Sequence, residues 1–288
     1  MIENLLQQAI KTSQDQKITF AEFTALVLYH PEYGYYNSEK IKIGKQGDFF
    51  TSSSLGKDLG ELIAMQIVEM GDILNSDQGF TLVEMGAGVG DFAIDLLSYL
   101  EKQFPVFFES ITYLIIEESL SLKQQQRSRL QALPNLLKKI QWKTWSEIGD
   151  CSWVGCCFSN ELVDAFPVHR IVLNNGQWQE VYIELEEGEF KECLGELSTP
   201  RLQNYFDLIG LEINPEIYPE GYCTEVNLKA LDWLEKLAQK LDRGYVLTID
   251  YGYLAHKYYH PQRAQGTLQC YYQHRHHNNP YILSLIHI

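Results

Sequence analysis

From residue 80 onward, short apolar runs alternate with stretches whose apolar positions recur at helical spacing. The runs 80–85, 111–116, 139–145, 151–159 and 245–250 predict strands, and 91–102, 120–132 and 228–241 predict helices. Strands apolar on both faces, separated by helices, predict an α/β fold with a mainly parallel sheet covered on both sides. Between 168 and 195 the rhythm changes to strict alternation broken by Asn174-Asn175-Gly176 and Glu186-Glu187-Gly188, which predicts an antiparallel meander. Segment 165–226 is therefore expected to be an insertion capping the carboxyl ends of the parallel strands. Upstream, 1–13 and 19–29 read as helices. A further helix carries the stripe Leu55, Leu59, Leu62, Ile63, Ile67, Met70 and Leu74.

Composition narrows the classes of function. The 288 residues carry a net charge of −15, which excludes binding to a phosphate backbone and suits a cationic partner. No apolar stretch is long enough to cross a membrane. The first thirteen residues include Glu3 and lack an apolar centre, so no targeting signal is expected and the chain reads as cytoplasmic. The six cysteines form no C-x-x-C pair and read as reduced thiols. His274-Arg275-His276-His277 has no matching cysteine or carboxylate spacing, so no metal site is expected. Oligomeric state is not legible.

The chemistry concentrates where the first parallel strand ends, in Glu84-Met85-Gly86-Ala87-Gly88-Val89-Gly90-Asp91. Glycines at 86, 88 and 90 let a ligand approach the backbone, and the following helix presents free N–H groups at its start. Dinucleotide turns place the third glycine five residues after the first; here it falls four after. Glu84 would also repel a pyrophosphate. A carboxylate beside bare amides suits a zwitterion with an α-ammonium, a carboxylate and a sulfonium, which describes S-adenosyl-L-methionine (SAM). E-x-G-x-G-x-G after a strand resembles motif I of class I SAM-dependent methyltransferases. That gives Glu84, Gly86, Ala87, Gly88 and Gly90 as candidate cofactor residues. A glycine-rich turn without a ligand is the plainer alternative.

Two further strand ends carry polar groups. Glu117, first past the strand 111–116, is placed to accept hydrogen bonds from both ribose hydroxyls of an adenosine, with Glu118 solvated. The run ending at Ser159 leads into Asn160-Glu161-Leu162-Val163-Asp164. Methyl transfer needs a lone pair held in line and water excluded. For a guanidinium acceptor, a carboxylate can also clamp the fork. Glu161 is the first candidate for that clamp, Asp164 the second, with Asn160 beside them. Capping of the next helix is the alternative role for Asn160 and Asp164.

Asn160-Glu161-Leu162-Val163-Asp164-Ala165-Phe166-Pro167-Val168-His169 resembles the signature of MidA-like methyltransferases. Tyr29-His30-Pro31-Glu32-Tyr33-Gly34-Tyr35-Tyr36, Gly47-Asp48-Phe49-Phe50-Thr51-Ser52, Ile249-Asp250-Tyr251-Gly252 and Gly266-Thr267-Leu268 agree in order. The resemblance implies a class I, Rossmann-like SAM-binding fold. It also implies protein-arginine N-methyltransferase activity, with symmetric dimethylation of a quinone-side subunit of respiratory complex I during its assembly. By the same analogy 47–52 folds over the cofactor, adding Gly47, Asp48 and Thr51 to its contacts. Ala87 stands where many relatives have proline. The implied organisation is an N-terminal helical extension and cofactor-covering loop (1–79), a SAM-binding core (80–164 and 227–282) and a substrate-capping insertion (165–226).

A class I sheet carries two further strands, and the 38 residues after Asp250 are too few for them. Residues 283–288 also match a translated sequencing adapter. The expectation is a C-terminally truncated chain with a foreign tail and an exposed sheet edge. Two rival functions stand beside arginine methylation: a SAM-dependent methyltransferase of a small molecule or another side chain, and a non-catalytic assembly factor that binds a protein partner. An NAD-dependent oxidoreductase is disfavoured by Glu84 and the glycine spacing.

Overall fold

The computed structural model describes residues 2–37, 56–75, 79–211, 214, 216–272, 275–277, 279–282 and 285–287. The expected cofactor contacts Gly47, Asp48 and Thr51 lie outside them. In chain order, α1 (Ile2–Thr12), β1 (Lys17–Thr19) and α2 (Phe20–Tyr29) precede α3 (Asp58–Leu74). Then come β2 (Phe80–Met85), α4 (Asp91–Gln103), α5 (Pro105–Ser110), β3 (Ile111–Ile116), α6 (Leu120–Leu130), α7 (Pro134–Leu137), β4 (Ile140–Lys143) and β5 (Trp153–Asn160). The meander is β6 (His169–Asn174), β7 (Gln177–Glu186) and β8 (Glu189–Gly195), followed by α8 (Pro200–Leu208) and β9 (Cys223–Val226). Next are α9 (Leu228–Lys240), β10 (Leu241–Ile249), α10 (Ala255–Tyr258), β11 (Gln269–Tyr272), β12 (Arg275–His277) and β13 (Leu285–His287).

The chain divides into two compact units: Glu39–Leu162 with Trp233–Asp250, and Met1–Ser38 with Val163–Asp232 and Tyr251–Ile288. Within the first, five parallel strands run in the order β10-β5-β2-β3-β4. The chain leaves β2 toward β3 and β4, then returns to the other side of β2 with β5 and β10. The carboxyl end of β2 therefore lies at the topological switch point, where open α/β sheets bind their ligands. The apolar core joins Phe80, Leu82, Tyr113, Ile115, Cys156 and Phe158 of the strands to Ala64 and Ile67 of α3 and to Phe92, Leu96 and Leu100 of α4. Phe92 stacks on Phe158 with centroids 4.1 Å apart. Burial pushes the Cys156 thiol up to about 12, as expected for a cysteine serving as a small hydrophobe.

Two elements differ from the pattern read in sequence. The buried face of α3 is Gly60, Ala64, Ile67 and Leu74, whereas Leu62 of the expected stripe is 56% exposed. Small residues let α3 lie close to its neighbours: a Cβ on Gly60 would stand 2.8 Å from Asp95 Cβ, and one on Gly71 would stand 2.3 Å from the Phe107 ring. Ile67 and Leu74 of the expected stripe are buried and Leu59, Ile63 and Met70 pack against the same core, so the stripe holds apart from Leu62; Leu55 lies outside the described residues. Strand β10 begins at Leu241 rather than at 245, because Gly244 is a close-approach residue and not a break. A Cβ there would sit 1.9 Å from Gly155 O on β5.

The second unit holds an antiparallel sheet in which β7 pairs with β6, β1 and β8, and β6 pairs with β9. Thr19 starts α2 with a capping box: Glu22 N–H donates to Thr19 Oγ1 at 3.1 Å, and Thr19 N–H donates to Glu22 Oε2 at 2.8 Å. Leu6, Ile10, Phe20 and Phe23 pack against Val168, Val181 and Ile183 of this sheet region. A smaller antiparallel sheet has β11 between β12 and β13. Leu285–His287, within the expected foreign tail 283–288, forms the strand β13 of that sheet. Among the described residues no helix is long and apolar enough to cross a membrane, and no group of three or more His, Cys, Asp or Glu side chains could hold a metal.

Candidate functional site

Four loops meet the carboxyl edge of the parallel sheet. The first, after β2, is a tight turn in which Gly90 N–H donates to Ala87 O at 2.8 Å. Gly86, Gly88 and Gly90 have φ of +76°, +53° and +86°, in the left-handed region that favours glycine. Gly90 is the residue from which α4 starts. A Cβ on Gly86 would come within 3.0 Å of Leu162 Cδ1, which brings the turn against the loop after β5. The N–H groups of Ala87 and Gly88 have no acceptor among the described residues. Its carbonyls, in contrast, are taken: Gln126 Nε2 donates to Gly88 O at 2.8 Å and Arg129 Nη1 to Val89 O at 2.9 Å. Arg129 also pairs with Asp91. Both donors lie on α6, three residues apart, so one helix fixes the turn with its carbonyls engaged.

Glu84 lies on β2 and is 3% exposed. Tyr113 Oη, from the neighbouring strand, donates to Glu84 Oε2 at 2.8 Å. Burial pushes the carboxyl up to about 7; the Tyr113 bond opposes this and the charge of Glu117 adds to it. Tyr113, itself pushed well above its ordinary value by burial, stays a neutral donor. The carboxyl is thus poised to gain charge when a cation comes beside it.

Glu117 follows β3. Its Oε1 accepts from Ser119 N–H at 2.9 Å and its Oε2 from Gln126 Nε2 at 3.3 Å. Burial raises its pKa, against hydrogen bonds from the Ser119 amide and Gln126. The side chain of Glu118, its neighbour, is exposed, while its backbone also hydrogen-bonds the Glu117 carboxylate.

After β5, Glu161 adopts φ +49°, unusual for a residue with a side chain. Two bonds to the adjacent strand end hold it there. Glu161 N–H donates to Ile249 O at 2.8 Å, and Leu162 N–H to Asp250 Oδ2 at 3.2 Å. Asn160 ends β5 in register with Ile249. Glu84, the glycine turn, Glu117, Asn160 and Glu161 therefore share the carboxyl edge of one sheet, as does Asp250. Asp164 belongs to the other unit, where it is buried.

The donor chemistry at this edge fits SAM. Glu84 would supply a carboxylate to a cation, the amides of Ala87 and Gly88 have no acceptor among the described residues and could take a carboxylate, Glu117 could offer two acceptor oxygens to a diol, and the space at Gly86 would be reduced by any side chain. Tyr113, Gln126 and Arg129 were not legible as site residues. The one available signal was Gln126 between Leu122 and Leu130 on the buried stripe of α6.

The family model described as "Putative S-adenosyl-L-methionine-dependent methyltransferase" matches residues 62–284. Among curated proteins, the chain is 29% identical to the Drosophila melanogaster "Protein arginine methyltransferase NDUFAF7 homolog, mitochondrial", over 91% of this chain and 61% of that protein. It is 25% identical to the human protein arginine methyltransferase NDUFAF7, mitochondrial, over 82% of this chain and 56% of the relative. The chain thus spans about three fifths of the length of these relatives. Among solved structures, a Burkholderia thailandensis protein crystallised with S-adenosyl-homocysteine superposes with a TM-score of 0.85 at 28% identity, over 99% of this chain and 71% of that one. With its family model matched over most of its length, the chain belongs to the S-adenosyl-L-methionine-dependent methyltransferase family so described.

Proposed function

We propose that this chain is a SAM-dependent protein-arginine N-methyltransferase that uses the carboxyl edge of its parallel sheet. The observation that carries the reading is the placement of a buried carboxylate, Glu84, and a half-buried one, Glu117, beside a glycine turn whose Ala87 and Gly88 amides have no acceptor among the described residues. In this reading Glu84 pairs with the α-ammonium of SAM, Gly86, Ala87, Gly88 and Gly90 lie against its amino-acid end, and Glu117 holds its ribose. Gly47, Asp48 and Thr51 join them by the family resemblance. Bound SAM supplies an electrophilic methyl on a sulfonium. Glu161 clamps the acceptor guanidinium and turns one nitrogen lone pair toward that methyl, with Asn160 beside it and Asp164 as the alternative carboxylate for the clamp. A strained backbone at Glu161 supports this role, since such strain is retained where the side chain's direction matters. The names of the relatives support arginine as acceptor, and the resemblance supports symmetric dimethylation of a complex I quinone-side subunit.

Isotope transfer tests the reading. Incubated with methyl-tritiated SAM and a proteome extract, the protein is expected to label protein, with symmetric dimethylarginine recovered on hydrolysis. Label confined to small metabolites, or SAM binding without any transfer, would overturn the arginine assignment.

The role of Glu84 predicts a pH dependence of binding. A carboxyl that ionises near pH 7 pairs with an ammonium only above that value. Affinity for S-adenosyl-homocysteine, which carries the same ammonium, should therefore rise with pH. The ionised fraction grows about tenfold between pH 6 and pH 8, and affinity by a similar factor. The free protein shows the opposite sign. The unfolded carboxyl ionises first, so Glu84 lowers stability progressively from the ordinary carboxylate range up to about pH 7. Titration calorimetry across this range checks the prediction, with Glu84→Gln expected to flatten the affinity profile; a flat wild-type profile would remove Glu84 from the ammonium site.

A further inference from the structure

We infer that Gln126 is a positioning residue for the adenosine end of the site, orienting Glu117 toward the ribose hydroxyls. This rests on the reading of Glu117 as the ribose carboxylate. Gln126 is fully buried on α6, on the stripe with Leu122 and Leu130, where an apolar side chain would pack without polar loss. Its hydrogen bonds fix which way the amide faces. Trp142 Nε1–H, which can only donate, lies 2.8 Å from Gln126 Oε1. The NH₂ group is thereby turned toward its two acceptors, Gly88 O at 2.8 Å and Glu117 Oε2 at 3.3 Å. Trp142 is held in turn, with the Arg127 guanidinium 4.9 Å over its ring. Every hydrogen and the carbonyl of the Gln126 amide are engaged, each by a different segment: β4, the turn after β2, and the end of β3.

The consequence falls on Glu117. Ser119 N–H holds one of its oxygens and Gln126 the other, so the carboxylate plane is set from both ends. Each oxygen keeps a second acceptor direction, the pair that a vicinal diol needs. Without Gln126, Glu117 keeps only backbone N–H donors from its own loop, Ser119 and Glu118, and loses the side-chain bond that fixes its other end. Gln126 thus converts a strand-end acid into an oriented acceptor, and does so before a ligand arrives.

Ligand comparison separates this role from a merely structural one. Calorimetry would measure S-adenosyl-homocysteine and its 2′,3′-dideoxyribose analogue against wild type, Gln126→Leu and Gln126→Glu, with circular dichroism confirming folding. Wild type is expected to prefer the natural ribose. Gln126→Leu should weaken S-adenosyl-homocysteine roughly tenfold, the worth of a hydrogen bond to a charged group, and the analogue by less than about threefold. Gln126→Glu preserves length and the acceptor for Trp142 but sets a carboxylate against Glu117, and should lose at least as much. Equal weakening of both ligands, or no weakening, would overturn the positioning role. Equal affinity of wild type for the two ligands would overturn the ribose reading of Glu117, and this inference with it.

Discussion

Gly88→Val is expected to reduce S-adenosyl-homocysteine affinity at least a hundredfold, to the point where calorimetry detects no binding. Three features of the turn converge on that position. Its backbone lies at φ +53°, where a β-branched residue is strained by about 1–3 kcal/mol. Its carbonyl is already committed to Gln126 on the inner side, so the segment has little room to rotate away. Its N–H is one of the two amides assigned to the ligand carboxylate, and an isopropyl group on the same residue would cover it. Strain alone is separable from blockade. Gly210, in the other unit, has φ +66° and none of the described residues within 4 Å of an added Cβ, so Gly210→Val carries comparable strain outside the proposed site. That variant should melt lower but bind normally. Normal binding by Gly88→Val would show that the ligand does not touch the turn.

Glu161→Gln is expected to separate binding from turnover. The side chain lies after β5, whereas the proposed SAM contacts among the described residues lie on β2, the turn after it, and the end of β3. S-adenosyl-homocysteine affinity should therefore stay within about threefold of wild type. Turnover should fall about a thousandfold. Removing one group that stabilises developing charge lowers kcat by about 10²–10³, and losing the negative charge also weakens the guanidinium clamp. Glutamine keeps the shape and the φ +49° backbone demand, so the variant isolates charge from fold. Single-turnover methyl transfer with calorimetry in parallel reads both quantities. Equal losses in affinity and turnover would place Glu161 in the cofactor site instead.

Much of the parallel unit was legible because its signals are local. The apolar runs 80–85 and 111–116 give β2 and β3 at their observed bounds, and glycine spacing locates the turn between β2 and α4. Other segments carried local signals that went unread. Pro105 opens α5, and Thr199 with Pro200 starts α8 as cap and first residue. The remainder depends on the fold. Tyr113 is one aromatic residue in an apolar strand until β3 sets it beside β2, where its hydroxyl reaches Glu84. Gln126 stands in the run Gln124-Gln125-Gln126, where its spacing from Leu122 and Leu130 singles it out for burial but not for the partners the packing of α6 gives it. Gly60 and Gly71 were invisible in α3 because close approach leaves no apolar side chain to count.

The central claim is that SAM lies along the carboxyl edge of the parallel sheet, with its ammonium at Glu84, its amino-acid end on the peptide of residues 86–90, and its ribose on Glu117. A crystal structure of this protein with saturating S-adenosyl-homocysteine tests it most directly. The expected density runs from Glu84 across Gly86 and Gly88 to both oxygens of Glu117, leaving Gln126 hydrogen-bonded as in the free protein. Ligand density elsewhere, or Leu162 occupying the space beside Gly86 while the ligand binds at another strand end, would contradict it.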